Sequence, residues 1–372
     1  MTTLDINGVT KKFGADLVLD DVSLNVGDGE TLVLFGPSGA GKTVLLRIIS
    51  GLVEADSGSI SIDDHDMEGV EAEHRGIGMA FQNFALFPHM SAFENIASPL
   101  EAHRESRSAI KEGVERVAKL LKIEHVLEHA PRELSNGQKQ RTALARALAA
   151  SPPLLLLDDP LRNVDAKLRF EMRLELPRLL AGQGTTVVYV TQDYKEAMAL
   201  GDRIAVLSAG RLTQLGTPAQ IYLSPENLDI ARLFGDPVIN TFDVMGQRDE
   251  AGVYVELSGV PVRLKETQSA CIDRPVVLAV RPESIQFCEA STGDAIPITI
   301  EAETPLNEKT VTLALTEGKR EILISRPSGT IAPTDGRAYI SIDADKALIF
   351  DRESGELIDQ NASALTSEGK AA

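Results

Sequence analysis

The chain is poor in several residue types, and each shortage removes a class of function. Tryptophan is absent and aromatic residues make up 4% of 372 residues. With so few rings there is no aromatic and basic face on which nucleic-acid bases would stack. Two cysteines, Cys271 and Cys288, and six histidines form no ligand cluster with metal-site spacing, and no disulfide framework is expected. Positive charge is in deficit: the formal net charge of −18 argues against nucleic acid or anionic lipid as a bulk electrostatic partner. No apolar run approaches the ~18 residues needed to cross a bilayer. The first residues, MTTLDINGVTKKFG, lack the basic start and apolar stretch of a secretion signal. These observations favour a cytoplasmic chain with reduced thiols, long enough for two domains.

What is present centres on GPSGAGKT, Gly36 to Thr43. It fits the phosphate-binding loop G-x-x-x-x-G-K-[ST], with Gly36, Gly41, Lys42 and Thr43 in the fixed places and Pro37, Ser38, Gly39 and Ala40 between them. Glycines let the backbone wrap closely enough for successive N–H groups to face phosphate oxygens. Lys42 would reach the β- and γ-phosphates, and the Thr43 hydroxyl would bind Mg²⁺. The apolar run Thr31–Phe35 before the loop reads as a buried strand. The run Lys42–Ser50 after it has helical spacing, so the loop opens onto a helix N-terminus that favours anions. Strand, loop and helix together identify a nucleoside triphosphate site.

Before the loop, residues 4–26 alternate apolar and polar side chains, as an antiparallel hairpin does. After it, Ser59–Ile62 and Gly76–Phe81 read as strands, and Gln82 follows the second directly. Phe84–Leu100 is rich in apolar residues expected at the surface and is broken by Pro88 and Pro99. Residues 106–127 have a helical stripe, and Ser135 caps a run of strong helix formers that ends near Pro152. Residues 83–150 are therefore expected to form a helical subdomain inserted between strands. Pro153–Asp158, Thr185–Thr191 and Arg203–Ser208 read as buried parallel strands with helices between them, Lys167–Leu180 being kinked or broken at Pro177. Composition changes near Gly235. From there to residue 353, short alternating strands punctuated by Gly, Pro and Asp predict an all-β, OB-like domain. Residues 354–372 read as a frayed tail.

LLLLDD, Leu154–Asp159, ends an apolar strand in two acids. Asp158 is placed to hold Mg²⁺ and Asp159 to polarise an attacking water. Upstream, LSNGQKQR, Leu134–Arg141, resembles the LSGGQ signature of ABC transporter ATPases. With Phe13 before Gly14, Gln82 after its strand and Asp165 after Pro160, the resemblance runs through Met1–Phe234. Beyond it, residues 216–240 and Val280–Ile285 (VRPESI) resemble the linker and regulatory (TOBE-type) domain of maltose-type sugar importer ATPases.

The resemblance implies a role for each matching residue. Phe13 would stack on adenine. Gln82 would touch Mg²⁺ and sense two integral membrane permease subunits, which would dock on Phe84–Leu100. Ser135, Gly137 and Gln138 would serve the nucleotide of a facing ATPase subunit. The fold implied is a P-loop ABC ATPase of residues 1–235, followed by the β-domain of residues 236–353. The activity implied is ATP-driven import of a sugar or polyol such as glycerol, from the cytoplasmic face of the inner membrane, with a solute-binding protein delivering the cargo. A soluble ABC ATPase without a membrane partner and an anion importer are the alternatives.

Four positions depart from the family pattern. Asp159 stands where Glu is usual, one methylene further from the water. Gln192 in TQDY replaces the switch histidine and can donate a hydrogen bond but carry no charge. Arg162 takes the place of a small serine, and Asn136 that of the first signature glycine. The losses at Asp159 and Gln192 fall on the same chemical step, with binding residues intact. They predict slow turnover in this chain's own site and pairing with a second, non-identical ATPase subunit.

Overall fold

The computed structural model describes residues 2–290, 293–329 and 336–358 and divides into two compact units, 1–218 and 219–372. In the first, β1 (Leu4–Phe13) and β2 (Asp16–Val26) form the expected antiparallel hairpin. β3 (Thr31–Phe35) leads through the glycine loop into α1 (Lys42–Ile49), then β4 (Ser57–Ile62), β5 (His65–Asp66) and β6 (Ile77–Ala80) follow. Three helices come next: α2 (Ala92–Ala102), α3 (Arg107–Leu120) and α4 (Asn136–Ala149). β7 (Leu154–Asp158), α5 (Ala166–Gln183), β8 (Thr186–Thr191), α6 (Tyr194–Leu200), β9 (Arg203–Ser208) and β10 (Arg211–Gly216) complete the unit.

β10-β9-β3-β8-β7-β6 is the order of a six-stranded sheet, parallel throughout except for the β9–β10 hairpin at its edge. β3, β7 and β8 are buried along their whole length, which is why they read as unbroken apolar runs rather than alternating ones. β2-β1-β4-β5 form a separate antiparallel sheet. Leu24 and Ile60 of that sheet, Leu45, Leu46 and Ile49 of α1, and Leu34 and Leu156 of the parallel sheet share one core. The glycine loop therefore starts from a strand and ends in a helix that are both fixed by packing.

Two prolines behave differently from expectation. α2 runs through Pro99 and α5 runs through Pro177 without interruption. An interior proline costs a helix about 3 kcal/mol. In α5, Leu168, Met172, Leu176 and Leu180 recur every fourth residue and are at most 5% exposed. Burying each stabilises by about 1.5–3 kcal/mol, so packing outweighs the broken hydrogen bond. In the segment Phe84–Leu100, expected to be exposed, Ala92, Ile96, Ala97 and Leu100 are instead the buried face of α2. Its exposed apolar residues lie in the first part, around Phe87 and Pro88.

The second unit starts at residue 219, ahead of the expected boundary at 235/236. α7 (Pro218–Leu223) and α8 (Leu228–Leu233) precede the β-domain. They belong with it because Arg281, 5% exposed, lies 3.5 Å over the Tyr222 ring and donates to the backbone carbonyls of Tyr222 and Phe234. Leu228 and Ala231 of α8 share a cluster with Val277, Ala279 and Phe350. The all-β domain is antiparallel as expected, and its strands divide between two five-stranded sheets that share one core. Residues 354–358 of the expected tail are ordered. Asn227 bridges Glu356, Phe350 bridges Leu357, and Ile358 packs on the β-core. The rest of that tail, 359–372, lies outside the described residues.

Candidate nucleotide site

The loop between β3 and α1 needs its glycines. Gly36 has φ 149°, and a Cβ there would sit 2.1 Å from the Leu207 carbonyl oxygen on β9. Gly41, at φ 99°, would place a Cβ 2.6 Å from Leu19 Cδ2 and 2.8 Å from the Val18 carbonyl oxygen. Both positions combine a left-handed backbone with close approach, so a side chain fails at either on two counts. Lys42 is 5% exposed, and its Nζ donates to the carbonyls of Gly36 (2.7 Å) and Pro37 (2.8 Å). The ammonium is thus folded back along the loop it caps. Burial lowers its pKa below the ordinary 10.5, against the pull of Asp159 and Asp158.

Thr43 Oγ1 donates to Asp158 Oδ1 at 3.1 Å. A hydroxyl and a carboxylate in contact, at the start of α1 and the end of β7, make an all-oxygen donor set. No group of three or more His, Cys, Asp or Glu suited to a metal exists among the described residues. The Thr43 and Asp158 oxygens suit Mg²⁺, which keeps its waters and needs only one or two protein oxygens beside the phosphates. Burial raises the Asp158 carboxyl above the usual range, opposed by the Thr43 hydrogen bond, Arg47 and Lys42.

Asp159 stands at φ 49°, a left-handed turn immediately after β7. Its N–H donates to the Val190 carbonyl (2.9 Å) and its own carbonyl accepts from Gln140 Nε2 (2.8 Å). The side chain is 12% exposed, with Oδ2 3.8 Å from Arg162 Nη1. Burial raises this carboxyl too, with Arg162 the largest opposing influence. Arg162, standing where a small serine is usual, therefore faces the acid that departs from the family pattern.

The signature residues are arranged around the start of α4. Ser135 caps it in a reciprocal box: its hydroxyl accepts from the Gln138 N–H (3.3 Å), and Gln138 Oε1 accepts from the Ser135 N–H (2.9 Å). A Cβ on Gly137 would come within 3.0 Å of the Asn163 carbonyl oxygen, so helix and loop touch there. Gln140, 2% exposed, spans the same gap, donating to Asp159 and accepting from the Asn163 N–H (2.9 Å). The sequence reading missed Gln140. A lone glutamine on a helix has no periodic signal; its place two residues after Gln138 in the motif was the one available clue.

The structure brings Lys42, Thr43, Asp158 and Asp159 together. Phe13 is 48% exposed at the end of β1, with Lys11 Nζ 5.4 Å from its ring centre. Gln82 and Gln192 are exposed, the first just beyond β6 and the second at the end of β8. Behind Gln192 lies a buried polar group absent from the sequence reading. Glu196, 1% exposed, accepts from Tyr189 Oη and Thr191 Oγ1, each at 2.9 Å. Arg169 Nε stands 4.0 Å from its other oxygen. The carboxylate fastens α6 to β8, the strand that presents Gln192.

Comparison with known proteins gives these features a context. The family model described as ABC transporter matches residues 19–162. The chain is 38% identical over 364 residues to the osmoprotective compounds uptake ATP-binding protein GgtA of Synechocystis, covering 95% of this chain and 98% of that one. It is 36% identical to the sn-glycerol-3-phosphate import ATP-binding protein UgpC of Escherichia coli K12, covering 96% of this chain and 100% of the relative. Among solved structures, the ATP-binding cassette MJ0796, in a dimeric post-hydrolysis state with ADP and Pi, matches with TM-score 0.55 and 33% identity. That match covers 58% of this chain and 98% of MJ0796.

Proposed function

This chain belongs to the ABC transporter ATP-binding proteins, of the type that includes the sn-glycerol-3-phosphate importers, and from that premise we propose that it energises uptake of a glycerol-based or related polyol solute. The observation that carries the proposal is the extent of the likeness. Both importer relatives match over at least 95% of this chain, β-domain included. A cassette alone would leave that domain without a counterpart, as MJ0796 does.

In this reading the chain sits on the cytoplasmic face of the membrane, bound to two permease subunits. No helix among the described residues is long and apolar enough to cross the membrane itself. The open part of the docking segment, around Phe87, receives the permeases, and a solute-binding protein supplies the cargo. Bound Mg-ATP provides the phosphoryl group whose transfer to water drives the cycle. The chain's own residues do the rest. Lys42 leaves the Gly36 and Pro37 carbonyls and turns its charge toward the phosphates. Thr43 and Asp158 hold the cation, Phe13 stacks the base and Gln82 reports occupancy to the permeases. Asp159 orients the water, and Gln192 donates a hydrogen bond where a histidine would bring charge.

The signature residues Ser135, Gly137 and Gln138 act on a facing subunit's nucleotide. The dimeric MJ0796 cassette supports a second copy of this chain as that subunit. The expected non-identical ATPase partner gains no support from the relatives. What remains in its favour is chemical: the short Asp159 carboxylate, its Arg162 neighbour at 3.8 Å and the uncharged Gln192.

The test is uptake. The chain should co-purify with its permeases, and vesicles holding the complex should take up sn-glycerol 3-phosphate or a neutral polyol only with Mg-ATP. Uptake of neither solute would overturn the solute class. Recovery with ribosomes or DNA instead of membranes would favour a soluble ABC ATPase, and uptake of an inorganic oxyanion would favour the anion importer.

A further inference from the structure

α4 carries signature residues at one end and, near the other, a side chain whose contacts belong to a different motif. Arg146 donates from Nη1 to the Ala85 carbonyl (2.8 Å) and from Nη2 to the Phe84 carbonyl (3.4 Å). Its guanidinium also lies over the Phe87 ring, 5.5 Å from the centre. Phe84 and Ala85 both have left-handed backbones, at φ 67° and 48°. Two successive non-glycine residues hold that conformation only where the surroundings fix it. Here the fork of Arg146 supplies the fixing on one side.

Asn95 holds the residues that follow. It is fully buried in α2. Its Oδ1 accepts from the Phe87 N–H (2.8 Å), and its Nδ2 donates to the carbonyls of Phe87 (3.1 Å), Met90 (3.1 Å) and Ser91 (2.9 Å). The backbone from Phe84 to Ser91 is thereby clamped, while the Phe87, Pro88 and His89 side chains stay open. Resting on the docking reading above, we propose that Arg146 is a positioning residue that makes the signature helix and the permease-facing loop move as one piece.

The physical case is one of stiffness. α4 is a 14-residue α-helix with a capping box at its start. Ser135 and Arg146 are separated along it by roughly 16 Å at 1.5 Å per residue. A shift imposed on Ser135, Gly137 and Gln138 by the facing subunit's nucleotide reaches Arg146 undiminished, because an α-helix transmits axial and tilting displacements without changing its hydrogen bonds. At Arg146 it enters the loop through two carbonyls and one ring. A planar fork is suited to gripping two carbonyls at once; an ammonium can take one. Arginine therefore does here what lysine does only in part.

The experiment uses the complex of this chain with its permeases in vesicles, carrying wild type, Arg146→Ala or Arg146→Lys. Arg146→Ala should bind Mg-ATP, hydrolyse it as an isolated chain and co-purify with the permeases as wild type does. Its solute-stimulated hydrolysis and uptake should both fall about tenfold, within the range for coupling between sites. Arg146→Lys should recover part of the loss. Full stimulation in Arg146→Ala would overturn the proposal. So would a loss that tracks a lower melting temperature or poorer assembly with the permeases, since that would make Arg146 a structural staple only. Failure of the wild-type complex to assemble or transport overturns the underlying reading and is seen without either variant, so the two failures stay distinguishable.

Discussion

Replacing Lys42 with alanine removes a buried ammonium and leaves the Gly36 and Pro37 carbonyls without its two hydrogen bonds of 2.7 and 2.8 Å. Hydrogen bonds from a charged donor contribute about 1.5–3 kcal/mol each, so the loss is about 3–6 kcal/mol. Against this, keeping a charge out of water costs several kcal/mol, and the substitution relieves that cost. The two contributions have similar size and opposite sign. The nucleotide-free Lys42→Ala chain should therefore melt close to wild type, within about 2 kcal/mol. Ligand-induced stabilisation has no such cancellation. At a hundredfold excess over Kd, wild type gains about 2.7 kcal/mol from Mg-ATP, and Lys42→Ala should gain almost none. Thermal unfolding of both chains with and without Mg-ATP reads the two quantities side by side. An undiminished shift in Lys42→Ala would mean that the loop does not hold the triphosphate. Collapse of the nucleotide-free variant would mean that Lys42 serves the fold before it serves a ligand.

Changing Asp159→Glu together with Gln192→His should raise hydrolysis by the isolated chain, by up to ~10²-fold if the water-orienting step limits it; equal rates would show that Asp159 and Gln192 already suffice. Pro177→Ala should restore a helical hydrogen bond in α5 and stabilise by about 2 kcal/mol, because the ~3 kcal/mol cost of the proline exceeds the ~0.4–1 kcal/mol by which it restricts the unfolded chain. Its melting temperature should rise by about 2–4 °C per kcal/mol, and an unchanged or lower value would refute the packing argument. For Glu196, burial raises the carboxyl above its ordinary 4.5. The protonated form is thus favoured by folding, so stability present at lower pH is lost as pH rises through the folded pKa. Relative to wild type, Glu196→Gln should gain stability over that rise while keeping an oxygen for Tyr189 and Thr191. Melting curves that stay parallel from acid to neutral pH would refute it.

The parts of the site legible in the sequence were those with covalent spacing behind them. Gly36, Gly41, Lys42 and Thr43 lie within one loop, and Asp158 ends an apolar run that only a buried parallel strand explains. The wholly buried strands and the β-rich second unit were legible for the same reason, since burial on one or both faces leaves a pattern. What stayed hidden depends on contacts between distant elements. Gln140, Asn95 and Arg146 are single polar residues on helices, and their importance comes from backbone atoms 4 to 62 positions away that they reach. Pro99 and Pro177 misled because local propensity gives the cost of a proline and not the burial that offsets it. The unit boundary was misplaced because α7 and α8 resemble a linker in composition, whereas Arg281 and Phe350 bind them to the β-domain.

That attachment of α7 and α8 has a consequence for how such a protein can be recombined. A cut at the change of composition, near residue 235, would separate Arg281 from the Tyr222 ring and strip the residues 354–358 of their Asn227 and Glu226 partners. A cut just before α7 leaves those contacts whole. The transferable cassette for exchanging regulation between such ATPases therefore begins with two helices, and chimeras joined after them would inherit a receptor with its doorframe removed.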